Sequence, residues 1–587
     1  MVVSFLRKKW LVSLLLFLVS FGAYLPSLRN DFVWDDVETI EQSYYTYNAS
    51  SIGYMFVPPE KKTKDALYYR PLIYSSMVLD KALWGVSAFG FHLANIVLNA
   101  LAAVSMYLFA LLLLGELGYE GKHASAFIAA VLFAFYPMHV ESVSWVSGRS
   151  DVLCALFFFL AFIFHILSLR KTGFLALTAA SFSLSLLSKE VAVVFPLTAL
   201  AFDLINRSKG RKENILRYAV YASVLALFFY LRGRTYVNFP ELSSVRVPGG
   251  TGVAEAGGGV AGILGVIQVL SVSYSYYFSK LVFPFTFNAF TESPPAGPAN
   301  VITAALVFGL IALGVIYSIK KRNKVSAFAL LWIPFTLFPS VLIALTDIPS
   351  ASLAERYLYI PSAGFCLLLG CILARPSRSA TGERAMLAAV FLLAASFLIF
   401  TVVRQWVWRD GVALWEDTTR KSPMSAIPRI NYGIALLDAG REDEALKELL
   451  KNFEDGVRIS DRGRSVTASN IGVVYINKKD IRNAEEWFLK AYGYDPGYYK
   501  TSYHLGLVNY LKGKSGESRG HFLASLKYTK RAIQLRPFYG KAYLLLAMVY
   551  VELGDGENAR ENAGLAVESG LTDSLAEKAG EIMRTPD

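Results

Sequence analysis

Two adjacent carboxylates, Asp35 and Asp36, sit in "NDFVWDDVET" (30–39), directly after the first apolar run of the chain. Four more polar stretches interrupt apolar sequence. "PMHVESVSWVSGRSD" (137–151) carries His139, Glu141, Arg149 and Asp151, and "SKE" (188–190) carries Lys189 and Glu190. "RGR" (232–234) carries Arg232 and Arg234, and "SLAERYLYIPS" (352–362) carries Glu355 and Arg356. A carboxylate among these residues can take the proton of an attacking hydroxyl. A cation can stabilise a departing phosphate. Together they suit a single displacement at an anomeric carbon, in which a sugar leaves a lipid phosphate with inversion.

Each stretch also has a plainer reading. An Asp beside a Trp is often a helix cap, and "SKE" serves equally as a structural ion pair. His139 and Glu141 are two metal-ligand types without a third, so no cofactor is called for, and a divalent metal stays open as an alternative. Arg232 and Arg234 are either phosphate ligands or exceptions to the charge bias. Glu355 and Arg356, being adjacent, point in different directions along a helix; Arg356 is favoured as the anion ligand, with Arg149, Lys189 and Arg232 as further donor-phosphate candidates. Ionisable groups at membrane depth are costly, so several together mark a functional cavity.

The elements that position these residues follow from composition. The chain has 587 residues, is 54% hydrophobic and has a mean hydropathy of +0.41, too apolar for a soluble globule. Runs close to bilayer length predict about eleven membrane helices, at 9–27, 89–115, 124–139, 152–169, 172–188, 191–206, 215–232, 301–319, 326–345, 357–374 and 385–403. The net charge of +12 is gathered largely in short basic clusters between those runs, at 7–9, 170–171, 207–212, 320–324 and 375–384. Such clusters are cytoplasmic, and nucleic acid is excluded as a partner. All five share one side only if the ambiguous run 261–284 does not cross, so that run is expected to be re-entrant or interfacial. The N-terminus is then cytoplasmic, the C-terminus outside, and the polar stretches converge on the outer face. Loops 28–88 and 233–300 lie there too. The basic, apolar N-terminus lacks a small-residue cleavage pattern and reads as an uncleaved anchor. The three cysteines, Cys154, Cys366 and Cys371, show no disulfide or metal spacing.

Residues 1–403 therefore form the membrane domain and 404–424 a linker, with a soluble helical domain at 425–587. Gly433, Gly472, Gly506 and Ala547 recur at intervals of 39, 34 and 41, and the residues twelve further on are Ala445, Ala484, Ser518 and Ala559. Thirty-four is the tetratricopeptide period. Small residues at these two positions let helices A and B of a repeat approach closely. Pro496 and Pro537 end repeats two and three. Four helix pairs between 425 and 571 and a C-terminal capping helix are expected.

In order and spacing, "NDFVWDD", "YYRPL" (68–72), "YPMHVESVSWVSGRSD", "LLSKE" and "ERYLYIPS", followed by the repeats, resemble the transmembrane and tetratricopeptide-repeat protein O-mannosyltransferases. The resemblance implies an all-α architecture: a GT-C-type helical bundle followed by an α-solenoid. It implies a polyprenyl-phosphate sugar donor (dolichyl-phosphate mannose in eukaryotes) and transfer to a protein hydroxyl. By that match Asp35 is the base and Asp36 its helper, with His139, Glu141, Asp151, Glu190 and Glu355 in supporting polar positions. The acceptor protein would meet the repeats, and the lipid bilayer is the other partner. The membrane would be the endoplasmic reticulum in a eukaryote or the plasma (inner) membrane in a prokaryote. Competing readings are a glycan ligase or lipid-modifying glycosyltransferase, and a non-catalytic anchor holding a repeat scaffold for envelope assembly. A transporter fits less well, because the membrane half shows no internal duplication.

Overall fold

A computed structural model describes residues 6–40, 52–57, 69–206, 211–235, 260–291, 298–343, 353–375, 377, 379–516, 518–569, 571 and 573–584. Every extended element among them is a helix. Parts of loops 233–300 and 28–88 lie outside the described residues. The chain divides into two compact units, one of 1–32 with 50–409 and the other of 33–49 with 410–587.

The first unit contains α1 (Lys9–Ala23), α2 (Pro71–Trp84), α3 (Ala88–Glu116), α4 (Lys122–Ala134), α5 (Arg149–Ser168), α6 (Phe174–Ser188) and α7 (Phe195–Asn206). It continues through α8 (Arg211–Thr235), α9 (Val260–Val282), α10 (Pro298–Lys320), α11 (Lys324–Ile343), α12 (Pro361–Leu373) and α13 (Ala380–Gln405). Each of the eleven expected spans falls on a helix. Among the described residues, six are long and apolar enough to cross a membrane, and seven if α4 and the segment Pro137–Ser144 count as one span bent by 47°. The bend has a cause in Pro137, which offers no backbone N–H to continue the α4 ladder. Helices α1, α6 and α12 are apolar but only 15, 15 and 13 residues long. The ambiguous run is one continuous 23-residue helix, α9, without the internal break of a re-entrant hairpin, and it is not among the six.

Apolar residues fill the centre of this unit. Phe109, Phe158, Phe159, Phe162 and Phe328 pack around Trp332, with ring centroids 5.2–6.4 Å from it. Its indole N–H donates to Ile360 O at 3.0 Å, giving the buried polar tip a partner. Small residues bring α4 and α12 together: a Cβ on Gly370 would lie 2.5 Å from Ser125 O and 2.9 Å from Ala129 Cβ. In lipid, where apolar side chains gain nothing by leaving solvent, such close backbone contact drives helix association. Leu306, Leu310 and Leu313 on α10, and Leu387 and Phe391 on α13, are exposed, as lipid-facing residues would be.

In the second unit α14 (Gly411–Lys421) precedes four helix pairs. They are α15 (Ala426–Asp438) with α16 (Glu442–Leu450), α17 (Asp461–Asn477) with α18 (Ile481–Tyr494), α19 (Tyr499–Lys514) with α20 (Arg519–Leu535), and α21 (Gly540–Leu553) with α22 (Gly556–Glu568). Helix α23 (Asp573–Arg584) follows and packs on the last pair. The small-residue positions explain the pairing. A Cβ on Gly433 would fall 2.5 Å from Leu449 Cγ, and one on Gly472 2.5 Å from Phe488 Cε1. Ser518 departs from the expectation. It caps α20 by accepting from Gly520 N, while Ser525, seven residues on, is buried and donates to Gly506 O at 2.7 Å. The seven residues lie mostly in helix: α19 and α20 are each about three residues longer at their joined ends than in the first two pairs, while the turn between them has four residues.

Candidate functional site

The charged candidates of the first unit lie at breaks between helices. Pro137 ends α4, and a five-residue helix (Val140–Ser144) and a 3-10 turn then lead into α5. Asn95 on α3 fixes that segment: its amide donates to Val143 O, Trp145 O and Val146 O at 3.1–3.3 Å. Gly148 is required by close approach, since a Cβ there would meet Glu141 O at 2.7 Å. The break between α6 and α7 supplies Lys189 and Glu190, and the 3-10 turn Glu355–Leu358 supplies Glu355 and Arg356.

These breaks carry a cluster of charge that is buried except at Arg70 and Glu190, whose side chains are 18% and 20% exposed. Glu141, 1% exposed, accepts from Arg356 N at 3.0 Å and pairs with the Arg356 guanidinium. That guanidinium also lies 5.2 Å from the Trp145 ring centroid and 5.0 Å from that of Tyr357. Lys189 Nζ is 2.7 Å from both Asp151 carboxylate oxygens and 4.9 Å from the Tyr357 ring centroid. Burial pulls the Lys189 ammonium below its usual pKa, while Asp151 works the other way. Arg70 grips Glu190 with two hydrogen bonds of 3.0 and 2.7 Å. Burial alone would raise the Glu190 pKa; the Arg70 guanidinium outweighs it and, with help from Arg232, brings the carboxyl down to about 2.

Adjacent Glu355 and Arg356 turn to different partners. Glu355 accepts from Asn288 N and faces Lys280 at 3.9 Å and Arg404 at 3.8 Å. Burial raises its pKa despite those two cations. Five cations (Arg70, Lys189, Lys280, Arg356, Arg404) thus meet four carboxylates (Glu141, Asp151, Glu190, Glu355). The excess is positive, which is the balance an anionic ligand needs.

Two candidates serve position more than ligand binding. Arg149 is fully buried and donates to Asn95 Oδ1 (2.6 Å), Ser76 Oγ (3.1 Å) and Phe91 O (2.9 Å), with Asp80 at 2.5 Å. This saturated guanidinium ties α2, α3 and α5 together. His139 Nε2 is 2.8 Å from Ser362 Oγ, and its ring packs against Phe133, Tyr136 and Tyr359. His139 and Glu141 therefore face different partners. Among the described residues no three of His, Cys, Asp and Glu converge in a metal-binding set.

Asp35 and Asp36 belong to the second unit. Asp36 is buried and its Oδ2 accepts from Val33 N at 3.2 Å, closing a local turn just ahead of the short helix Asp36–Ile40. Asp35 is exposed. Trp34, just before it, has φ +62°, a left-handed backbone costly for a bulky residue, and packs edge-to-face on Trp415 at 5.3 Å. Strain of this kind is concentrated at functional sites.

Arg70, Lys280 and Arg404 escaped the sequence reading as site residues. A signal was present for two of them. Lys280 lies near the end of one apolar run and Arg404 directly after another, where a lone basic residue stands out. Arg70 lies in "YYRPL" (68–72), where no local pattern marks it as a site residue.

Apolar helices that hold a buried charge network, joined to tetratricopeptide helix pairs, define a repeat-bearing membrane protein. Residues 468–498 match the tetratricopeptide repeat model. The chain is TMTC-like. It is 24% identical to protein O-mannosyl-transferase TMTC4 of Mus musculus over 486 residues, covering 73% of this chain and 64% of that one. It is 23% identical to protein O-mannosyl-transferase Tmtc3 of Drosophila melanogaster over 607 residues, covering 89% and 64%. This chain thus spans a little under two thirds of the length of those relatives. Among solved structures, that of MamA aligns with 27% of this chain and 85% of its own at 18% identity, with a TM-score of 0.22, too low to bear on function.

Proposed function

We propose that the chain is a membrane glycosyltransferase that moves a sugar, mannose by its relatives' names, from a polyprenyl-phosphate donor to a protein hydroxyl on the non-cytoplasmic face. The acceptor oxygen bonds to the anomeric carbon as the carbon–oxygen bond to phosphate breaks, so configuration inverts. Asp35 takes the acceptor's proton, and the cationic network stabilises the lipid phosphate as it leaves. The observation that carries this reading is the buried network itself. Charges from six separate segments meet with an excess of cations in a unit otherwise built for lipid.

Arg356 and Lys189, each gripped by a carboxylate, would set the field. Lys280, which also donates to Thr286 O, and Arg404 face their shared carboxylate at 3.8–3.9 Å and add their charge to that field. Arg232 adds to the same field, and the repeats would receive the acceptor protein.

The test is transfer by purified protein in liposomes, from polyprenyl-phosphate mannose to an acceptor protein, read as a hexose mass increment. Asp35→Asn should lower turnover about 10²–10⁴-fold, the usual contribution of a general base, while the variant stays folded and still binds donor. Turnover equal to wild type would remove Asp35 as base.

A further inference from the structure

The second unit is electrically divided. Residues 499–541 contain nine Lys and Arg against one acidic residue, whereas the remainder of 410–587 contains sixteen against twenty-four. Helix α20 has no Asp or Glu in its seventeen residues. Its exposed residues include Arg519, Lys527, Lys530 and Arg531. At spacings of eight and three, Arg519, Lys527 and Lys530 fall on one face of the helix, with Arg531 at its edge. Among the described residues no carboxylate lies within ion-pair distance of any of the four, whereas Lys512 and Lys514 on α19 pair with Glu485 and Glu552.

The same face carries apolar surface. Leu523, four residues from both Arg519 and Lys527, is 54% exposed, and Phe538 just beyond the helix is 47% exposed. Cations flanking isolated large apolar side chains are the composition of a helix that lies in a membrane interface.

We propose that this face of α20 docks on an anionic lipid surface, with Arg519, Lys527, Lys530 and Arg531 at the headgroups and Leu523 and Phe538 inserted between them. An acidic protein with an apolar cleft would match the same surface, and the lipid and salt arms of the test separate it from a bilayer. A bilayer satisfies the cations and the apolar side chains alike, and the apolar first unit keeps the chain at one, so the contact forms at high effective concentration. Each cation near such a surface changes partitioning roughly fivefold. The inference rests on membrane insertion and not on sugar transfer.

The test uses the full chain with Leu523→Cys, reconstituted in nanodiscs of phosphatidylcholine alone or with one part in three phosphatidylglycerol. The native cysteines are buried, so a water-soluble maleimide reports on the new thiol. Labelling should slow in the anionic discs. It should recover at high salt, which screens the attraction, and after Lys527→Glu with Lys530→Glu. Glu561→Cys, an exposed position on α22, should label at one rate throughout. Equal Leu523→Cys rates in the two discs would overturn the proposal. So would protection that ignores both lipid charge and salt, because a protein contact would then cover the face. The salt arm needs no change to the cations, so misfolding of the charge-reversed variant would leave the test intact.

Discussion

Replacing Glu141 with glutamine removes one charge and almost no volume, and the structure fixes what should follow. Glu141 is 1% exposed, and its partner Arg356 is 8% exposed. The glutamine can still accept from Arg356 N, so the backbone of the 355–358 turn keeps its hydrogen bond. What disappears is the charge facing a buried guanidinium that cannot shed its proton. Breaking a buried pair in this way costs about 3–5 kcal/mol. Asp151 also acts on Arg356, and the Trp145 and Tyr357 rings lie close to it, which places the expected loss near the lower limit. About 3 kcal/mol is a shift of roughly 150-fold in the unfolding equilibrium.

Arg356→Met should cost a similar amount, because it strands Glu141. The double variant should cost far less than the two together, since a neutral pair leaves no buried charge behind. Unfolding of all four proteins in mixed micelles, followed by tryptophan fluorescence, gives the cycle. A Glu141→Gln loss below about 1 kcal/mol, or additive single effects, would show that water reaches the pair. The buried network would then have no special electrostatic strength.

Glu190, held near pKa 2 against an ordinary 4.5, should stabilise the fold above about pH 4.5 and lose that contribution as pH falls toward 2. Arg70→Ala should flatten this acid limb in pH-dependent unfolding, and an unchanged limb would disprove the coupling. Gly472→Val should destabilise the repeats by at least about 1–3 kcal/mol, because its Cβ would lie 2.5 Å from Phe488; thermal unfolding of wild type and variant measures it. Thr286→Cys and Met424→Cys, both exposed positions, should react with an impermeant thiol reagent only from the non-cytoplasmic side. Labelling of Met424→Cys from the cytoplasm alone would overturn the assignment of membrane sides.

Period and hydropathy made the helices legible, because a 34-residue repeat and a bilayer-length apolar run each report a local rule. The charge network was legible only in part. Glu141, Lys189 and Arg356 stand in polar interruptions of apolar sequence, so their cost at membrane depth announces them. Which cation meets which carboxylate does not follow from spacing. Glu141 finds Arg356 across 215 residues, and Lys189 finds Asp151 across 38. Arg149 illustrates the opposite limit: its type and position resemble a ligand's, and only its contacts with Asn95, Ser76, Phe91 and Asp80 identify it as a strut. Ser518 makes the same point in the solenoid, where helices lengthened at their joined ends pass the packing role to Ser525. Sequence therefore identifies the residues whose burial must be compensated, and the three-dimensional pairing decides whether the compensation is already complete. Where it is complete, as at Arg149, the charge holds helices together. Lys280 shows how much the pairing hides: beside Glu355 at 3.9 Å it also donates to the Thr286 carbonyl, a partner that no rule of spacing announces.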